Sequence, residues 1–164
     1  MTKLALFVVV ACIVIAGKTY YRHATADDLA FLLAPTAMLV SAATDTHFTR
    51  ERGVGWIDRD AAFEIVPECA GMHFLLCALV ALAIASLPAL TSWSAVARQL
   101  AFAIVGAYVA TLVVNTLRIA IAVRMHQHEL GGADAHRLEG TAIYFGGLCA
   151  LYAFARGRHE AKTA

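Results

Sequence analysis

The stretch Val66–Leu87, VPECAGMHFLLCALVALAIASL, decides the fold class because it is long and apolar enough to cross a membrane. A spanning helix needs about 20 such residues to cross about 30 Å of hydrocarbon. Pro67 suits the start of a helix, where its missing N–H costs nothing. Cys69 would then meet the positive end of the helix dipole, which stabilises a thiolate. The stretch therefore predicts a transmembrane helix with a candidate nucleophile at its start.

The composition of the whole chain is also typical of a membrane protein. Of 164 residues, 60% are hydrophobic and 15% charged, against about 45–50% and about 25% in soluble domains. The net charge of +1 offers nucleic acid no electrostatic attraction, so we expect the lipid bilayer as a partner and no nucleic acid. The four cysteines lack CxxC pairing, which argues against a disulfide framework or a zinc ribbon. We expect neither a metal nor a cofactor.

Five apolar segments predict an all-α bundle of about five transmembrane helices, in a single membrane-embedded domain over residues 1–164. The segments are 4–17, 29–44, 70–90, 100–123 and 138–155. The first two are short, so they span only with snorkelling flanks or local bilayer thinning. The first segment is alternatively a signal peptide that is cleaved after residues 24–26. Its unbroken apolar run favours a retained helix.

One sizeable polar segment, residues 45–68, predicts a small extracytoplasmic β-hairpin before the third helix. Residues 54–57 and 63–66 are β-prone runs, and the sequence DRD lies between them. Since the second run leads directly into Pro67, the hairpin would form a lid over the mouth of the helix, or a docking edge beside it. A connecting loop without a role is the alternative.

The basic residues of the loops do not decide the orientation. With five spans, each face of the membrane carries six Lys and Arg residues. The basic stretch 155–162, ARGRHEAK, favours a cytoplasmic C-terminus. That orientation puts Cys69 and His136 on the external face. Alternating spans also bring the start of the third helix, the exit of the fourth and the start of the fifth to one face.

Three polar residues near that face are candidates for a catalytic site: Cys69, Arg118 and His136. Arg118 lies about 9 Å inside its helix, and an intramembrane arginine usually faces a protein interior or a wet cavity. Histidine is the side chain best suited to act as a base near neutral pH. Together the three predict a cysteine–histidine nucleophilic site with a charge stabiliser. The alternatives are a packed cysteine, a snorkelling arginine and an interfacial histidine.

Four neighbours are predicted to bind substrate: Glu68, Gly71, His73 and Asn115. Gly71 leaves room for a substrate backbone or for tight helix packing. His73 is one turn after the cysteine and is a rival base. Asn115 shares a helical face with the arginine.

Three motifs resemble the exosortase/archaeosortase family of polytopic membrane cysteine transpeptidases, and within it the short forms called exosortase K. They are PECAG at 67–71, NTLRIAIAV at 115–123 and HRLEGTAIYFGG at 136–147. The resemblance implies that Cys69 is the nucleophile and that His136 is the base and acid. It further implies that Arg118 stabilises the thiolate or the oxyanion.

The same resemblance implies a substrate class. The substrates would be exported, membrane-tethered proteins with a C-terminal sorting signal: a short motif, one transmembrane helix and a basic tail. Cleavage through a thioester on Cys69 would release that helix and transfer the upstream chain to an acceptor. The enzyme would lie in the cytoplasmic membrane of a prokaryote, with its active site on the extracytoplasmic side. The recognition motif, the acceptor and the oligomeric state stay open.

Other functions also stay open at this point. A protease that only hydrolyses the thioester is a variant of the same chemistry. A small non-enzymatic subunit of a membrane assembly or transporter would use Arg118 as a structural polar anchor. A metal or redox site would be built from four residues, Cys69, His73, His126 and His128.

Overall fold

The computed structural model describes residues 2–87, 90, 92–128 and 133–160, and of residues 133–137 and 158–160 only the backbone. The helices are α1 Thr2–Tyr21, α2 Ala30–Thr44, α3 Met72–Ser86, α4 Trp93–Gln127 and α5 Ala133–Glu160. The strands are β1 Thr49–Glu51, β2 Gly55–Asp58 and β3 Phe63–Ile65, and a 3₁₀ turn covers Pro67–Cys69. The prediction of an all-α membrane protein with a small sheet is confirmed.

Within the described residues, four segments are long and apolar enough to span a membrane. They are Thr2–Tyr21, Pro67–Ser86, Trp93–Gln127 and Leu138–Gly157. The remaining helix, α2, is apolar but has only 15 residues. At 1.5 Å per residue it is about 22 Å long, too short for about 30 Å of hydrocarbon. The described chain thus offers four spans rather than the predicted five.

The packing of α1 against α3 argues against α2 as a membrane span. Tyr21, the last residue of α1, meets His73 near the start of α3, with 5.2 Å between the ring centroids. One turn further into both helices, Leu76 occupies the space beside Gly17. The two helices are antiparallel, so the end of α1 and the start of α3 lie on the same membrane face. The intervening α2 therefore enters and leaves on that face.

The chain forms two compact units. One comprises the described residues within 1–22, 72–111 and 146–164, and the other residues 23–71 and 112–145. In the first unit, α3 is the most buried span, with apolar side chains turned inward on several sides. This is the pattern expected of a helix that is hydrophobic all round.

The second unit contains an antiparallel sheet in the order β1–β2–β3. β2 and β3 correspond to the two predicted strands, with Trp56 opposite Ile65 and both side chains buried. β1 was not predicted because its residues are polar and all exposed, so no alternating pattern marks it. The sheet leads through Val66 directly into the 3₁₀ turn, and it thereby helps to position Cys69.

The loop before α2 is tied to the sheet that follows α2. Asp27 accepts a hydrogen bond from Arg50 Nη2 at 2.6 Å and one from the Gly53 N–H at 3.2 Å. The Arg50 guanidinium, above all, holds the pKa of the Asp27 carboxyl below its ordinary value. The same guanidinium lies 5.7 Å from the centre of the Trp56 ring. These contacts hold together the segments at both ends of α2, as expected of a helix that does not span.

Candidate active site

Cys69 ends a 3₁₀ turn and does not open α3 directly. Its N–H donates to the Val66 carbonyl at 2.8 Å, and the thiol is half-buried and not in a disulfide. Gly71 then adopts a φ of +71°, a left-handed conformation that favours glycine, and α3 begins at Met72. The predicted helix start at residue 70 differs from the structure by two residues because Gly71 interrupts the helical backbone.

Asn115 holds the backbone of Cys69. Its Nδ2 donates to the Cys69 carbonyl oxygen at 2.7 Å, and its side chain is completely buried. Asn115 belongs to the buried stripe of α4 because Ile119 and Val123 follow it at four-residue spacing and are also buried. An amide in such a place needs partners for both its nitrogen and its oxygen.

Tyr144 on α5 supplies the partner of the Asn115 oxygen and also contacts Arg118. The Tyr144 hydroxyl donates to Asn115 Oδ1 at 2.6 Å. The guanidinium carbon of Arg118 lies 5.3 Å from the centre of the Tyr144 ring, within the range of a cation–π interaction. The guanidinium of Arg118 is thus held against a protein ring, which argues against a snorkelling anchor.

The arginine side chain lies in a space that glycine leaves open. A Cβ on Gly140 would come within 3.4 Å of the Cδ and Nη1 atoms of Arg118. Gly140 and Tyr144 are four residues apart on α5, and Asn115 and Arg118 are three apart on α4, so each pair shares a helix face. The Nε of Arg118 is buried and has no hydrogen-bond partner among the described residues. As far as the described residues go, this donor of the guanidinium is left for a ligand.

Asp58 orders the loop that leads to the cysteine. Its carboxylate accepts N–H bonds from Ala61 at 2.9 Å, His47 at 2.6 Å and Asp60 at 3.0 Å, and the residue is 4% exposed. The Ala61 N–H contributes most to lowering the pKa of this carboxyl below its ordinary value, and the other two N–H groups add to the effect. Desolvation acts in the opposite direction but does not outweigh these hydrogen bonds.

The remaining predicted residues are His136, Glu68 and His73. His136 is part of α5, but its side chain lies outside the described residues. Glu68 is exposed on the 3₁₀ turn. The exposed His73 packs edge-on against Tyr21.

The histidines of the alternative metal site are engaged elsewhere or exposed. His126 packs against Phe63, with 6.0 Å between ring centroids, and His128 is exposed. No group of three or more His, Cys, Asp or Glu side chains with metal-binding geometry occurs among the described residues. The structure thus provides no support for the metal alternative.

Comparison with known families identifies the chain's relatives. The family model described as Transmembrane exosortase (Exosortase_EpsH) matches residues 1–153. The matched region contains the motifs around Cys69, Arg118 and His136. The chain belongs to the transmembrane exosortase family. This exosortase is a multi-pass membrane protein. No curated protein and no solved structure matches it.

Two residues of this exosortase site were missed in the sequence. Tyr144 and Gly140 lie on α5 within the third motif, among small and apolar residues that are typical of any membrane helix. Their four-residue spacing marks a common face. It does not tell which face of α4 they meet, so only the folded chain reveals their contacts with Asn115 and Arg118.

Proposed function

We propose that this exosortase is a membrane cysteine peptidase and transpeptidase that removes C-terminal sorting signals from exported proteins. Cys69 is the nucleophile, His136 the base and acid, and Arg118 the stabiliser of negative charge. The whole chain acts as one membrane-embedded catalytic domain. Its site faces the extracytoplasmic side of the cytoplasmic membrane, where tethered exported proteins are met.

One observation carries the proposal: Cys69 and Arg118, which are 49 positions apart in the sequence, belong to one connected cluster of side chains. Asn115 bonds the carbonyl of Cys69, Tyr144 bonds Asn115, and Arg118 lies over Tyr144. A half-buried thiol can serve as the nucleophile of acyl transfer, and a guanidinium with a buried N–H that has no partner among the described residues can stabilise the oxyanion. A merely structural arginine anchor would not need to be linked to a cysteine in this way.

The first half of the reaction forms the thioester. His136 takes the thiol proton of Cys69, and Sγ attacks the scissile carbonyl of the sorting signal. Negative charge develops on the carbonyl oxygen, where the guanidinium of Arg118 would stabilise it in a site of low dielectric. As the C–N bond breaks, His136 passes the proton to the leaving amine. The signal helix leaves, and the upstream chain is held on Cys69.

The second half transfers the chain. An acceptor with an amine or hydroxyl group attacks the thioester carbonyl, and its proton passes through His136 back to the departing Sγ. Water in place of the acceptor gives hydrolysis, which is the protease variant of the same chemistry. The two outcomes differ only in what is attached to the new C-terminus of the substrate.

The first test compares the exported proteins of cells that carry wild-type enzyme or the variant Cys69→Ala. We expect membrane-bound precursors to keep their C-terminal helices in the variant, as quantified by mass spectrometry of C-terminal peptides. Cys77→Ala is the matched control because Cys77 is an exposed thiol on the adjoining helix. Arg118→Ala and His136→Ala should behave like Cys69→Ala. All variants must accumulate in the membrane to the wild-type level.

Two outcomes would contradict the proposal. Normal processing by Cys69→Ala would exclude a thioester on this residue and favour a non-enzymatic subunit. Full activity of Arg118→Lys would contradict a specific role of the guanidinium in stabilising the oxyanion, because lysine cannot reproduce its planar fork. A substrate adduct on Cys69 that hydroxylamine releases would identify the thioester directly.

A further inference from the structure

We infer that Tyr144 is a positioning residue of the active site: its hydroxyl fixes the amide that holds Cys69, and its ring fixes Arg118. The inference rests on the proposed function. Tyr144 lies on α5 within the third motif, but neither that motif nor the proposed chemistry gives it a role. Tyr144 touches neither substrate nor the reacting atoms in this scheme and acts through its two neighbours.

The hydroxyl contact follows from the chemistry of the groups involved. The carbonyl of Cys69 can only accept a hydrogen bond, so the NH₂ end of the Asn115 amide must face it. The amide oxygen then faces the opposite way, where it needs a donor because Asn115 is 0% exposed. The Tyr144 hydroxyl is that donor, at 2.6 Å. Without it, a buried carbonyl oxygen would be left unsatisfied.

The ring contact restricts the arginine. Arg118 has a long, flexible side chain. The carbon of its guanidinium lies 5.3 Å from the centre of the Tyr144 ring, and a Cβ on Gly140 would lie 3.4 Å from its Cδ and Nη1 atoms. The aromatic face attracts the cation without occupying any of its N–H donors. The guanidinium is thus held in place while its Nε–H, which has no partner among the described residues, stays available to a developing oxyanion.

Tyr144 therefore links α5 to both reactive groups. The predicted base, His136, lies on the same helix. A tyrosine that bonds Asn115 and contacts Arg118 sets the distance between that helix and α4, and through Asn115 it reaches the 3₁₀ turn of Cys69. Loss of the hydroxyl should lower the rate of the chemical step more than the affinity for substrate.

The test is a double-mutant cycle between Tyr144→Phe and Asn115→Ala. The substrate is a membrane precursor that wild-type cells process and Cys69→Ala cells retain. We expect Tyr144→Phe to lower kcat about tenfold, the effect of one hydrogen bond, with KM unchanged. Because the hydroxyl acts through Asn115, the double variant should be no slower than Asn115→Ala alone. Tyr152→Phe is the control on the same helix, since among the described residues its hydroxyl accepts one long contact of 3.5 Å, from Arg156.

Three results would overturn the inference: unchanged kcat in Tyr144→Phe, effects that multiply in the double variant, or an equal loss in Tyr152→Phe. Asn115→Asp is a second probe, should Tyr144→Phe not accumulate. Its carboxylate still accepts from Tyr144 but cannot donate to Cys69, so full activity would also contradict the linkage.

Cys69→Ala in the same assay separates the inference about Tyr144 from the proposed function. If it processes the precursor normally, the proposed function fails. If it is inactive and Tyr144→Phe is unaffected, only the inference fails.

Discussion

Gly71 shows how a single residue sets the surroundings of the proposed nucleophile. Its φ of +71° separates the 3₁₀ turn from α3, so the carbonyl of Cys69 is not used by the helix and is free to accept from Asn115. A residue with a Cβ would be strained in this conformation by about 1–2 kcal/mol. The prediction that Gly71 leaves room for a substrate backbone stays a prediction. Its conformation already explains why glycine is suited to this position.

Gly140 should tolerate a methyl group but not a branched side chain. A Cβ at this position would make an ordinary contact of 3.4 Å with Arg118, so the two further γ carbons of valine would crowd the arginine side chain. We expect Gly140→Ala to keep most of the processing activity and Gly140→Val to lose at least about tenfold, by displacement of the charge stabiliser. Initial rates on a membrane precursor provide the measurement.

The matched control for this prediction is Gly146→Val. Gly146 also lies on α5, and a Cβ there would meet nothing within 4 Å. If both valine variants were equally impaired, the loss would reflect helix propensity and not the contact with Arg118.

At the scale of elements, the folded segment that carries the sheet should lose stability in acid because Asp58 becomes protonated. The folded-state pKa of Asp58 lies below its ordinary value of 3.8, chiefly through the Ala61 N–H. The folded loop therefore favours the ionised carboxylate of Asp58. The stability that this carboxylate contributes is fully present above pH 3.8. It is lost as the pH falls from 3.8 through the lower folded-state value.

Hydrogen exchange of the His47, Asp60 and Ala61 amides, which donate to the Asp58 carboxylate, tests this expectation in detergent or nanodiscs. Between pH 6 and pH 3, corrected for the intrinsic pH dependence of exchange, protection should fall in wild-type protein. Asp58→Asn should show low protection at both pH values, because an amide cannot replace the carboxylate as an acceptor of three N–H bonds. Asp60→Asn, at an exposed carboxyl, is the control and should behave like wild type. The same fall in Asp58→Asn would assign the pH effect to another group.

At the scale of the whole molecule, the chain should cross the membrane four times. Cysteines introduced as Lys3→Cys and Arg59→Cys, in a variant with the four native cysteines replaced, provide the test. With four spans the two positions lie on opposite faces, and with five they would share one. We expect a membrane-impermeant maleimide to label Arg59→Cys in intact cells and Lys3→Cys only after permeabilisation. Labelling of both under the same condition would contradict the non-spanning α2.

The same experiment tests the proposed orientation. With four spans, the face of Cys69 carries seven Lys and Arg residues and the opposite face five, with Arg118 left out. By itself, this imbalance favours a cytoplasmic site under the positive-inside rule, whereas exported substrates require an external one. If Lys3→Cys is labelled in intact cells and Arg59→Cys is not, the four-span topology stands and the proposed extracytoplasmic site is wrong.

The class of this protein could be predicted from the sequence, and the reactive residues proposed from it stay a prediction. Long apolar runs identify membrane helices because the hydrophobic requirement is local to each run. Arg118 stands out because an ionisable group within such a run is costly, Cys69 because a thiol near a helix start is activated, and His136 because an imidazole can act as a base near neutral pH. The β1 strand and the 3₁₀ turn were missed, since short polar segments carry no periodic signal.

By itself, then, the sequence determined an all-α membrane protein, a hairpin ahead of the third helix, and the motifs of an exosortase. Only the tertiary structure gave a reason to expect that α2 does not span, because that argument rests on the contact between Tyr21 and His73. It alone joined Tyr144 to Asn115 and Asn115 to Cys69, across 29 and 46 residues of chain. The physical reason is the same for both. Hydrophobicity and helix periodicity are properties of neighbouring residues, whereas the pairing of helix faces depends on side chains that meet only after the helices have packed.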